Sequence, residues 1–165
     1  MVESVLRLSP RIEILPIVHA NGDMAHEVRE TLIARHYDCL AVPLPESVRQ
    51  PVEAAIEDLP AISVVVLRED RVKDHPGEGR ASARPGWAGA KQASYVPVDP
   101  CQAVIMGLRV AMGEGIERAY IDRDVRMYEP DPIHVPDPYN LKTVSVAAYA
   151  AAALPSLPRP VPGSQ

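Results

Sequence analysis

Ala61-Ile62-Ser63-Val64-Val65-Val66-Leu67 is the stretch whose reading decides the fold. Three consecutive valines favour extended backbone, because branching at Cβ crowds a helix and fits a pleated surface. Only Ser63 interrupts the apolar run, so the in–out alternation of a half-solvated strand is missing. A strand of this kind is expected to be covered on both faces, as parallel strands are.

Working outward, residues 48–58 have helical character, with Pro51 tolerated only in the first turn. Before them, Tyr37–Pro43 (YDCLAVP) reads as a second strand, followed by a Pro-Glu-Ser turn. Further upstream, Asp23 is a natural cap for a helix from Met24 to about His36, with Met24, Val28, Leu32 and Ile33 facing inward. Arg11–His19 (RIEILPIVH) reads as the first strand, although Pro16 removes a ladder donor and points to an edge or a strand end. Downstream, residues 68–92 are rich in Gly, Arg and Pro and have no usable period, which marks a long loop. Tyr95–Val98 is a short strand. Asp99-Pro100 opens a helix to about Gly113, with Ala103, Val104, Met106, Gly107, Val110 and Ala111 available for packing. Ile116–Ile121 is the fifth strand, ended by Asp122-Arg123-Asp124, and Lys142–Leu154 is an Ala-rich helix.

The alternation of strands and helices implies an α/β fold: a mostly parallel open sheet of about five strands with helices on both faces. At 165 residues the chain fits one domain, taken as residues 1–153, with a Pro-rich tail at 154–165. Hydrophobic residues make up 47%, but Phe is absent, so the core is aliphatic. The formal charge of −5 argues against a nucleic-acid surface, which needs clustered Lys and Arg. Cys39 and Cys101 do not form a metal-type pair and read as reduced, buried or half-buried thiols. No secretion signal and no apolar run of membrane-spanning length is visible, so the expected localisation is cytoplasmic.

Ligands of open α/β sheets bind beyond the carboxyl ends of the strands. There the sequence places His19, with His26 in the following helix, Glu46 after the second strand, and Asp122 and Asp124 after the fifth. Imidazole and carboxylate suit a divalent metal, and the same groups serve as general base and electrophilic stabiliser in hydrolysis. His19, His26, Asp122 and Asp124 are therefore candidate metal ligands, and His19, Glu46 and Asp122 candidate catalytic residues. The competing structural roles are a helix cap for Asp23 and Asp99, and local turn bonds for Asp122 and Asp124. No phosphate-binding glycine loop and no G-x-S-x-G elbow occurs.

Two stretches, ILPIVHANGDMAHEVRETL with YDCLAVPLPES and YVPVDPCQAVIMGLRVAMGEGIERAYIDRDV, together resemble the TraB/Tiki, ChaN-like and erythromycin-esterase superfamily. By position, His19 matches that family's first-strand His, and Asp122 or Asp124 the acid after a later strand. The resemblance implies an α/β core with a polar cleft and a hydrolase-type activity, metal-dependent as in the family's peptidase-like members. The chain departs from the pattern at Pro43-Leu44-Pro45, where an acid is usual and Glu46 is displaced. The family's C-terminal half is not seen either, as expected of a truncated member or of the N-terminal portion of a longer one. The alternative is a non-catalytic α/β module that binds a partner chain or forms a homo-oligomer. Its contact would be the Pro-rich tail, the surface left by the missing half, or the Ala-dense helix 142–154. No membrane partner is expected.

Overall fold

The computed structural model describes residues 6–68, 93–124 and 133–157. Their strands are β1 (Arg7–Ser9), β2 (Ile12–Glu13), β3 (Cys39–Pro45), β4 (Ser63–Arg68), β5 (Ala93–Val98) and β6 (Glu117–Asp122). Their α-helices are α1 (Gly22–Ala34), α2 (Arg49–Glu57), α3 (Ala103–Glu114) and α4 (Val146–Ala153). Of the sequence-predicted loop 68–92, Arg68 ends β4, and residues 69–92 lie outside the described residues, as does the end of the tail, 158–165.

The expected open, mostly parallel sheet is not what the chain forms. The described strands pair only two by two: β1 with β2, β3 with β6, and β4 with β5. β3 and β6 are parallel, running from Cys39 beside Glu117 to Val42 beside Tyr120, with Pro45 beside Asp122 after a register shift. β4 and β5 are antiparallel, with Ser63 opposite Val98 and Arg68 opposite Ala93. The reason lies in the connections. A parallel neighbour needs a crossover, usually a helix, and α3 supplies part of one between β3 and β6. Residues 69–92 carry no helical period. A strand returning without a crossover pairs antiparallel.

Covering on both faces fails as well. Leu40, Val42 and Leu44 of β3, Val65 and Leu67 of β4, and Val96 and Val98 of β5 all pack into one cluster. Val48 just before α2, Val52 and Ile56 within it, Leu59 after it, Ile105 and Leu108 of α3, and Tyr120 of β6 join it. The residues between them point the other way: Val64, Val66 and Tyr95 are exposed. The valine run of β4 is therefore half-solvated, even though its composition is that of a buried strand.

The first predicted strand, 11–19, shrinks to the two residues of β2, which pair antiparallel with β1. Leu15, Ile17 and Val18 instead lie partly buried against a second cluster of Met24, Val28 and Leu32 from α1, Ala103 from α3 and Tyr149 from α4. Pro16 carries no backbone donor, which suits this irregular path better than a ladder. Two caps also shift. Asn21, not Asp23, caps α1, its Oδ1 accepting from the Met24 amide at 2.9 Å. α3 starts after Gln102 rather than at Pro100. α4 begins later than expected, where Ser145 Oγ accepts from the Ala148 amide at 3.3 Å. Both thiols, expected to be buried or half-buried, are exposed and free. Cys39 lies on the solvent face of β3, and Cys101 precedes the first turn of α3.

α1 and α3 lie side by side and run in the same direction. Their N-termini are tied by the Ala20 amide, which donates to Gln102 Oε1 at 3.1 Å. Midway along, a Cβ built at Gly107 would sit 3.2 Å from Val28 Cγ1 and 3.4 Å from Leu40 Cδ2. The helices approach this closely because position 107 has no side chain. Gly107→Val is expected to wedge α1 away from α3 and cost about 1–3 kcal/mol, as overpacking does. Urea denaturation of the two proteins measures it.

Candidate functional site

α3 returns into β6 through Gly115, whose φ of 69° provides the left-handed turn that ends the helix. The N-termini of α3 and of its neighbour α1 therefore stand at the edge where β3 and β6 finish. The polar side chains at that edge form two groups.

The first group surrounds the ends of β3 and β6. Ser47 Oγ donates a hydrogen bond to Asp124 Oδ1. Asp122 Oδ1 accepts from the Arg123 amide at 2.8 Å, a local turn bond. Glu46 is held in a two-pronged pair with Arg49, Nε to Oε1 at 2.5 Å and Nη2 to Oε2 at 2.9 Å. The Arg49 hydrogen bond keeps the Glu46 carboxyl below the usual glutamate range. Arg49 is anchored in turn: it donates to the Arg118 carbonyl at 3.0 Å and stacks over the Tyr120 ring at 4.7 Å.

The second group sits between the two helix N-termini. His19 is exposed in the loop before α1, and His26 is exposed on α1 itself. Asp23 pairs with Lys142 at 3.3 Å. Asp99 accepts from the Cys101 amide at 2.7 Å and from Gln102 Nε2 at 3.2 Å. Gln102 is buried, and its one amide satisfies both Asp99 and Ala20. Ala20 has φ = 57°, a left-handed conformation that an alanine adopts at a cost of about 1–2 kcal/mol.

The two groups share an edge without joining. No hydrogen bond or ion pair among the described residues links His19 or His26 to Glu46, Asp122 or Asp124. Nor do the described residues contain a group of three or more His, Cys, Asp or Glu side chains that could hold a metal ion. Grooves occur at the other edge and along the helices. One of 540 Å³ lies where α1 and α3 end, lined by residues that include Arg35, His36, Tyr37, Asp38 and Glu114. Beside it, Glu13 takes Arg35 at 2.9 Å and the Tyr37 hydroxyl at 2.8 Å.

Sequence reasoning missed one polar network. Glu53 projects from α2 between the buried Val52 and Ile56, and takes Arg118 Nε at 2.9 Å and the Tyr120 hydroxyl at 3.4 Å. A carboxylate on a buried helical stripe needs partners, and that was the available signal. Burial first, and the Glu53 charge second, push the Tyr120 phenol up to about 12. No comparable signal announced Gln102, whose partners are far away in sequence.

Two outcomes follow. Ala20→Gly is expected to relieve the left-handed alanine and stabilise the fold by about 1 kcal/mol, raising Tm by about 2–4 °C in a thermal melt. Between an unfolded phenol near 10 and a folded one of about 12, the native state holds the Tyr120 proton more tightly. Stability therefore falls as pH rises through that window. Tyr120→Phe is expected to flatten that part of a stability–pH profile measured by urea denaturation. Compared with protein-family models, with curated proteins and with solved structures, the chain shows no match.

Proposed function

We propose that this chain is a non-catalytic protein-interaction module whose contact surface is the outward face of the β4–β5 hairpin. The observation that carries the reading is the exposure there of Val64 (53%), Val66 (61%) and Tyr95 (69%), with Ile62 (75%) in line just before β4. Single exposed apolar residues are ordinary, whereas a contiguous row of them marks a contact surface. The row stands on a hydrogen-bonded ladder and is continuous across both strands.

The carboxylates at the strand ends support the same reading. Glu46 is neutralised by Arg49, Asp124 is taken by Ser47 and Asp122 by its own turn, all of them structural roles. The Ala-dense helix offers less apolar surface, because Val146, Tyr149, Ala150 and Ala153 of α4 are buried within the protein. No helix among the described residues is long and apolar enough to cross a membrane.

One observation favours the second reading, a TraB/Tiki-type hydrolase. Backbone strain collects at functional sites, and Ala20 is strained beside the exposed His19. Metal analysis of the purified protein, with ester and peptide hydrolysis assays, separates the two. The interaction module is expected to carry well under one equivalent of zinc, manganese or iron and to hydrolyse nothing above background. Stoichiometric metal that disappears in His19→Ala, together with turnover, overturns it.

A further inference from the structure

We infer that Asn21-Gly22 is a self-modification site, a deamidation point held shut by the N-cap of α1, and that its isoaspartate product unfastens α1 from α3.

The chemistry needs only this dipeptide and water. The Gly22 amide nitrogen attacks Asn21 Cγ, the Cγ–Nδ2 bond breaks, and the Gly22 amide proton leaves with the side-chain nitrogen as ammonia. A five-membered imide remains. Water then opens it at either carbonyl, leaving aspartate or, with the backbone routed through the former side chain, isoaspartate. Nothing is oxidised or reduced. Glycine is the follower that hinders this attack least, since no Cβ stands beside the nitrogen. The chain has two asparagines, and the other, Asn140, is followed by Leu141, whose branched side chain crowds the same approach.

Placement is the second argument. Gly22 is exposed, so water and hydroxide reach it. It is also the first residue of α1, and the first amides of a helix have no carbonyl one turn earlier to bind. The attacking nitrogen is therefore not committed to the helix ladder. The cap is what holds the site shut. Asn21 Oδ1 accepts from the Met24 amide at 2.9 Å, and the Asn21 carbonyl accepts from the Ala25 amide at 3.1 Å. Closing the ring turns the side-chain amide toward Gly22 and gives up the Met24 bond, so reaction waits for the cap to open. Ala20, left-handed at φ = 57°, strains the entry to the same turn and lowers the cost of that opening.

The two products differ in what they do to the helix start. Aspartate at position 21 keeps the cap, because its carboxylate accepts from the Met24 amide and suits the positive end of the helix dipole. Isoaspartate adds a methylene to the main chain between residues 21 and 22 and shortens the side chain by one, which takes both capping oxygens away from Met24 and Ala25. One residue upstream, the Ala20 amide donates to Gln102 Oε1 at 3.1 Å, the tie between the starts of α1 and α3. A main chain lengthened at this point pulls that tie out of register.

Incubation of the full chain in mildly alkaline buffer, beside a peptide of residues 16–28, tests this by mass mapping. Electron-transfer fragmentation separates aspartate from isoaspartate. The folded chain is expected to exchange amide for acid at residue 21 and not at Asn140, about five-fold or more slowly than the peptide. Urea below the unfolding transition is expected to narrow that gap. Gly22→Ala is expected to stop the reaction and to fold as the parent does, since its Cβ would meet only Cys101 Sγ at 4.0 Å. The isoaspartate fraction is expected to melt about 2–4 °C below the parent, whereas Asn21→Asp melts with it. An Asn21 unchanged after about a hundred peptide half-lives overturns the inference. So does a folded chain that reacts as fast as the peptide, because the cap then controls nothing, or an isoaspartate fraction that melts with the parent.

Discussion

Two β ribbons that share no hydrogen-bonded ladder among the described residues are held in one body by a single apolar cluster. Val98 of β5, Val48 just before α2, Val52 within it and Leu108 of α3 have no exposed surface at all. Each such side chain contributes about 1.5–3 kcal/mol by leaving water, and the ladders contribute no cross-link between the ribbons. Orientation therefore depends on how α2 and α3 seat against both ribbons at once. The close approach at Gly107 fixes α1 to the same unit, and α1 in turn gathers α4 and the irregular segment 14–18 through Tyr149 and Leu15.

That arrangement accounts for the polar features as well as the apolar ones. The Glu53–Arg118–Tyr120 network sits where α2 crosses β6, and Arg49 extends it to Glu46 at the end of β3. Glu53, Arg118 and Arg49 are partly buried, and each is held by an opposite charge or a hydroxyl. Their arrangement clamps a helix to a strand. At the helix N-termini, Gln102 plays the equivalent part for α1 and α3, bridging Ala20 and Asp99 through one side-chain amide. The polar groups nearest the strand ends are thus occupied in holding elements together, and the unspent surface is apolar.

Ribbons that each bury one face also explain why the same sequence supports two functional readings. Val65, Leu67, Val96 and Val98 of the hairpin pack into the cluster while Val64, Val66 and Tyr95 face out, and the ends of β3 and β6 carry polar side chains that form no metal-holding group among the described residues. The first feature invites a binding reading and the second a catalytic one. His19 and the Asp122–Asp124 turn reach the same edge because α1 lies parallel to α3 and α3 runs back along β6. They remain in separate groups because different anchors hold them: Gln102 beside His19, Ser47 at Asp124.

The elements themselves were legible from residues alone. The valine run of β4 and the apolar stripe of α1 at Met24, Val28 and Leu32 follow from local period and branching, whereas which strands pair does not. The carboxylates near the strand ends were legible too, since a turn after a strand can be read from Asp122-Arg123-Asp124. What residues alone did not settle was the direction of β5 and the number of faces each strand buries. Both depend on the connection at 69–92 and on which helices find room, and neither quantity is encoded in a seven-residue window. Val64 and Val66 carry the same side chain as Val65. Only the placing of α2 and α3 on one side makes Val65 part of the core and leaves its neighbours in water.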